Sequence, residues 1–129
     1  MSFLALMTLA CVGLLFFISF KMGTMRAKHD VPAGSVEGPE EFNRFTRSQA
    51  NLIEGLMMFL PSVWVFGYFG SATLAGLLAV AFLGGRILYH RAYVTDPATR
   101  GLPFMVGIGS TALAWVGALV SIGLHALKH

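Results

Sequence analysis

The sequence predicts an all-α membrane protein, a four-transmembrane-helix bundle. Three observations predict it. Hydrophobic residues make up 56% of the 129-residue chain and only 12% are charged, a balance that suits membrane helices and not a soluble domain. Uncharged runs occupy residues 1–20, 55–85 and 101–127. Basic residues gather in the two stretches between those runs.

The first run reads as a retained span and not as a secretory leader. No basic residue precedes it, while Lys21, Arg26 and Lys28 follow it. The middle run, residues 55–85, is too long for one ordinary span. Charge decides how it is divided. Lys21, Arg26, Lys28, Arg44 and Arg47 precede it, and Arg86, Arg91 and Arg100 follow it. A single span would put these clusters on opposite sides of the membrane. Two spans put both on the cytoplasmic side, as the positive-inside rule favours. A turn within GYFGS, residues 67–71, would join them. Residues 101–127 hold the fourth span. The expected helices cover about 2–24, 39–67, 72–93 and 97–127 in one domain, 1–129. Both termini are then outside and both basic loops inside.

Two helix starts carry local signals. Gly38-Pro39-Glu40-Glu41 puts a proline at a first helical position with acids in the first turn. Asp96-Pro97 offers an N-cap followed by proline at N1, which sets Arg100 at N4. HDVPAGSVEG, residues 29–38, is the one loop of any length, and no internal repeat is visible. The formal net charge of +3 belongs to the cytoplasmic loops and not to a nucleic-acid surface. One cysteine, Cys11, excludes an internal disulfide, and no Cys/His spacing suggests a metal site. His125 and His129 fall at the opposite end of the bundle from His90, which argues against a haem ligated by histidines. Met57, Met58 and Phe59 suit an apolar pocket, but nothing in the sequence singles them out.

The stretch NRFTRSQANLIEG, residues 43–55, is out of place in so apolar a chain. On a helix Arg47, Asn51 and Glu54 are spaced by four and three, so they share a face with Arg44 beside them. In GRILYHRAY, residues 85–93, Arg86, Tyr89, His90 and Tyr93 also share a face. Two helices therefore present polar stripes at one membrane depth. Headgroup anchoring accounts for Arg91 or Lys28, and headgroup or packing contact for His90. It does not account for Asn51 and Glu54. A carboxylate within a span is costly and marks a functional site or a buried ion pair with Arg47 or Arg86.

The side chains define a ligand class. Arginines hold carboxylates in bidentate fashion, a glutamate takes an ammonium, and the amides of Gln49 and Asn51 pair with a peptide backbone. A small zwitterionic peptide with extra carboxylates meets all of these, and glutathione is such a molecule.

Two segments carry a family resemblance: GPEEFNRFTRSQANLIE and GRILYHRAYVTDPATRG. The first resembles the E-F-x-R-x-x-R-x-Q-x-N-x-x-E signature of the membrane-associated proteins in eicosanoid and glutathione metabolism (MAPEG). The second resembles that family's R-x-x-Y-x-x-x-Y signature, followed by an arginine that opens the last helix. The resemblance extends to length, four spans and loop layout. It implies a homotrimer, with glutathione as co-substrate held between neighbouring subunits near the cytoplasmic side and no metal. Residue by residue it gives Arg47, Gln49, Asn51 and Glu54 of the second helix, with Arg86, Tyr89 and Tyr93 of the third, as glutathione-binding positions. Arg26 matches an arginine that reaches glutathione or substrate. Arg100 matches the arginine that stabilises the thiolate and is the catalytic candidate. One position departs: the leukotriene C synthase-like branch has tyrosine after the helix-two glutamate, where this chain has Gly55.

The leading expectation is an integral-membrane glutathione S-transferase, with glutathione-dependent peroxidase activity as a companion, acting on lipophilic electrophiles from the bilayer. A bacterial inner membrane and an endoplasmic reticulum both fit. The first alternative is a non-catalytic lipid-binding scaffold of the same family, against which the intact arginine and glutamate signatures speak. The second is a small four-helix multidrug transporter. Such transporters carry their membrane glutamate in the first helix, whereas this first span has no acid.

Overall fold

The computed structural model describes residues 1–35 and 37–129, and at Pro97 the backbone alone. Four long helices account for nearly all of it: α1 Ser2–His29, α2 Glu40–Phe69, α3 Ala72–Thr95 and α4 Gly101–Lys128, with a 3-10 turn at Pro97–Thr99 before α4. There is no strand among the described residues. All four helices are long and apolar enough to cross a membrane. The division of residues 55–85 into two spans is thus seen directly. The turn between them shrinks to Gly70-Ser71, with the Ser71 hydroxyl accepting the Leu74 amide at 3.1 Å to cap α3.

α2 and α3 form the centre of the bundle, and α1 and α4 each pack against both. The buried face of α1 is Leu4, Cys11, Ile18, Met22 and Met25, a seven-residue rhythm that closes up toward its C-terminal end. α2 buries Phe42, Phe45, Leu52, Leu56, Phe59 and Val63, and Phe59 stacks on Phe82 of α3 at 4.1 Å. Trp64 of α2 donates its indole N–H to Thr8 of α1 at 2.9 Å. Small residues bring α3 and α4 together: a Cβ placed on Gly85 would lie 2.9 Å from Val106 Cγ1 and 3.2 Å from the Gly107 amide. Close backbone approach of this kind is how helices associate where no water drives them together. Outward positions such as Leu9, Phe16, Phe20, Leu102, Leu113 and Val116 are exposed and apolar, as a bilayer requires.

Most helix ends differ from the sequence expectation. α1 continues to His29, past residue 24, because Met25 still faces the core. It ends at Asp30 in the left-handed region (φ 58), where the Val31 amide reaches back to the Arg26 carbonyl at 2.9 Å and Val31 is buried. Pro39 is the N-cap of α2 and not its first helical residue. The largest difference lies before α4. Asp96 does act as a cap, but of the 3-10 turn: its carbonyl accepts the Thr99 amide at 3.0 Å and the Thr99 hydroxyl at 2.8 Å. α4 begins only at Gly101, so Arg100 is its N-cap residue and not N4. Pro103 gives the reason. A helix running unbroken from Pro97 would bring Pro103 into its interior, against the Thr99 carbonyl and with no N–H to offer it. A start at Gly101 leaves Pro103 in the first turn, where the missing donor does no harm.

Candidate functional site

The start of α2, the end of α3 and the start of α4 meet at one end of the bundle, and two concavities open there side by side. The nearer to the helix ends is about 360 Å3 and is lined by Glu40, Asn43, Arg44, Arg47, Tyr93 and Arg100. The deeper is about 180 Å3. Asn51, Glu54 and Gly55 of α2, Arg86 of α3 and Thr111 of α4 are among its walls. Arg47, Asn51 and Glu54 do share a face, as their spacing requires, and that face looks onto both cavities.

Tyr89 is among the walls of neither cavity but touches residues of both, Arg86 and Phe104 of the inner one and Tyr93 of the outer. It is buried, with the Arg86 guanidinium 4.4 Å from its ring centre and the Tyr93 ring 5.7 Å away. The Arg100 guanidinium lies 5.4 Å from the Tyr93 ring. The four side chains thus form a ladder, cation–ring–ring–cation, with three rungs on α3 and the last, Arg100, at the start of α4. Faces of tyrosine rings attract guanidinium groups, so the ladder helps to hold both guanidinium groups at the cavities.

Arg86 is 5% exposed, and its Nε has no hydrogen-bond partner among the described residues. A buried guanidinium nitrogen left unpaired is costly. Glu54 does not relieve it. The ion pairs among the described residues are Lys28–Glu41, His29–Glu41 and Arg44–Glu40, all at the helix ends and loop. The carboxylate of Glu54 and the amide of Asn51 therefore stay available on the cavity walls. An intrachain ion pair of Glu54 with Arg47 or Arg86 does not form.

Besides Tyr89, two residues that the family resemblance assigns to the ligand are not among the walls of either cavity. Gln49 donates to Ser19 of α1 at 3.1 Å. Arg26 donates to the Pro32 and Ser35 carbonyls at 2.9 and 2.7 Å, with its guanidinium 5.2 Å from the Phe42 ring. Both thus face the α1 side. Arg26 here ties down the α1–α2 connection. Arg26→Ala is accordingly expected to make residues 30–38 more readily cut in limited proteolysis, without any ligand present. An unchanged cleavage pattern with weakened glutathione binding would assign Arg26 to the ligand instead.

His90 packs between helices: Ser48 Oγ is 2.7 Å from its Nδ1, and Phe45 meets it edge-on at 4.9 Å. Met57 and Met58 line an apolar groove beside Trp115, whereas Phe59 belongs to the core. Among the wall residues that the sequence does not point to are Asn43 and Thr111. Asn43 lines the outer cavity, and its Oδ1 accepts the Gly38 amide at 2.9 Å. Thr111 is buried and donates to its own helix at the Gly107 carbonyl, 3.0 Å away. The available signal was the run of small residues Gly107, Ser110, Thr111, Ala114 and Ala118, whose spacing marks the packed face of α4.

Fold and face together define a four-helix integral-membrane protein with a cationic, tyrosine-laddered cleft at one end of its bundle. The family model described as MAPEG family matches residues 4–120, and the chain belongs to that family. It is 36% identical to an uncharacterized protein of Synechocystis over 92% of this chain and 86% of that one. It is 31% identical to leukotriene C4 synthase of Cavia porcellus, over 94% of this chain and 81% of that enzyme. Human microsomal glutathione S-transferase 2 is 30% identical, over 80% of this chain and 71% of the relative.

Proposed function

We propose that the protein is a membrane glutathione S-transferase, with peroxidase activity as a second outlet for the same thiolate. The carrying observation is the arrangement of Arg47, Asn51, Glu54, Arg86, Tyr93 and Arg100 around two adjoining cavities, with Glu54 and Arg86 unpaired. The names of the relatives support it, since two of them are a glutathione transferase and a leukotriene C4 synthase. Glutathione carries an ammonium for Glu54, carboxylates for the arginines and peptide groups for Asn51. Its thiol then meets Arg100. The thiolate attacks an electrophilic carbon, a sulfur–carbon bond forms, and the leaving group departs with its electron pair. Lowering the thiol pKa raises the fraction of reactive thiolate at neutral pH.

A homotrimer fits the placement of Arg26 and Gln49. Both make their contacts with α1 or the α1–α2 connection and line neither cavity, and in a trimer a neighbouring subunit's copies would complete the site. Calorimetry of glutathione binding to the purified protein in detergent, followed by conjugation of an aryl halide, tests the function. Binding and conjugation are expected. No binding at millimolar glutathione overturns the reading.

The proposed orientation puts the cleft on the cytoplasmic side, with both termini outside. Cysteine introduced at Ser35 is expected to react with an impermeant maleimide only from the cytoplasmic face. Cysteine at Ser71 is expected to react only from the other. The reverse pattern would move the cleft, and its supply of glutathione, to the opposite compartment.

A further inference from the structure

The inner cavity abuts an apolar groove. It shares Met58, Ile108 and Thr111 with that groove, which is about 480 Å3 and lies between α2 and α4. Gly55 forms part of the cavity wall, next to Glu54 and one turn before Met58.

A glycine inside a helix weakens it relative to alanine, so its presence asks for a reason. Helix packing supplies that reason at some of the other helical glycines. A Cβ on Gly67 would come within 2.6 Å of Leu4 Cδ2, and one on Gly85 within 2.9 Å of Val106 Cγ1. At Gly55 it would sit 3.6 Å from Phe82 Cζ and 3.9 Å from Arg86 Cζ, which is ordinary contact. No neighbouring helix needs the glycine. A larger side chain here would stand on the cavity wall, against Phe82 and the guanidinium of Arg86.

We propose that Gly55 sets the size of electrophile the enzyme accepts, by keeping open the space through which a bulky substrate passes from the apolar groove to the polar cavity. The proposal rests on the transferase reading above and assigns to it a specificity-determining residue. The reaction is unchanged: thiolate sulfur bonds to the ring carbon of an aryl halide, the carbon–halogen bond breaks, and halide leaves.

The test uses the intact protein, with two aryl halides that share a dinitrophenyl ring, one of them extended by a long alkyl chain. The quantity read is the ratio of kcat/KM, long substrate over short. Gly55→Leu is expected to lower that ratio about 10-fold or more, the scale on which occupied pocket volume discriminates substrates. Gly55→Ala adds only a methyl in ordinary contact. It is expected to fold and to shift the ratio the same way by a smaller factor. Gly109→Leu is the control, since a Cβ there meets nothing within 4 Å and Gly109 is not among the cavity walls. Its ratio is expected to match the wild type.

An unchanged ratio in both Gly55 variants overturns the proposal. So does an equal fall in Gly109→Leu, or a loss of calorimetric glutathione affinity in Gly55→Leu that accounts for the whole effect. A wild type that binds glutathione and conjugates neither halide fails differently: it removes the transferase reading itself.

Discussion

Arg100→Ala is expected to abolish most conjugation while leaving much of the glutathione binding in place. Arg100 is the N-cap residue of α4, and the first amides of that helix, those of Gly101 and Leu102, follow it directly in the chain. Amides at a helix start favour an anion. The guanidinium adds a full charge that does not titrate at working pH. Its 5.4 Å contact with the Tyr93 ring holds it at the outer cavity beside Arg47. In a partly desolvated cleft such charges act more strongly than in water. Together they can lower the pKa of a bound thiol by about two pH units, equivalent to about 2.7 kcal/mol.

The direction of the pH effect follows. A lowered thiol pKa keeps the sulfur ionised at neutral pH, and the rate falls only as pH drops through that lowered value. Removing Arg100 returns the pKa toward that of a free thiol, so the acid limb of the rate profile moves up by about two pH units. Ultraviolet thiolate absorbance of bound glutathione at neutral pH is expected in the wild type and largely lost in Arg100→Ala. A variant retaining full absorbance and rate would pass the activating role to another group, with Arg26 and Tyr93 the nearest candidates by sequence.

Long patterns were legible in the sequence, and local chain geometry was less so. The four spans follow from charge placement and apolar runs, because a bilayer penalises every misplaced charge and leaves few solutions. The shared face of Arg47, Asn51 and Glu54 follows from helical spacing alone. The entry to α4 was misread because Asp96-Pro97 is a strong start signal in isolation. Its meaning is changed by Pro103, six residues later, through a steric constraint on the turn between them. Gln49 sits within the polar stretch yet turns to Ser19 of α1. Sequence spacing fixes which residues share a helix face, but not which neighbouring helix that face meets. Helical spacing alone makes Arg86 one more member of a stripe. Its burial and its slot between Gly55 and Gly107, whose added Cβ would lie 3.3 Å from Arg86 Cδ, come only from the packing of three helices.

Glu54→Gln and Asn51→Ala are expected to weaken glutathione binding without disturbing assembly, by unequal amounts. At 1.5 Å per residue the 30-residue α2 is about 45 Å long, against a hydrocarbon thickness of about 30 Å. If the excess protrudes at its charged N-terminal end, Glu54 lies just inside the apolar layer. A carboxylate there is held against a solvation cost, and no ion pair within the chain offsets that cost among the described residues. A ligand ammonium is the missing counter-charge. Charge-assisted hydrogen bonds contribute about 1.5–3 kcal/mol and neutral ones about 0.5–1.5. Glu54→Gln keeps the shape and removes the charge, so a loss of about 10- to 100-fold in affinity is expected. Asn51→Ala removes only neutral bonds, and about 3- to 10-fold is expected. Glu54 is exposed in the lone protomer, and water reaching it would bring its value to the low end of that range. Calorimetry gives the affinities, and size-exclusion elution in detergent reports assembly. Normal glutathione affinity in Glu54→Gln would remove Glu54 from the ligand site. An early loss of the oligomer with intrinsic affinity intact would instead make its carboxylate a contact between subunits.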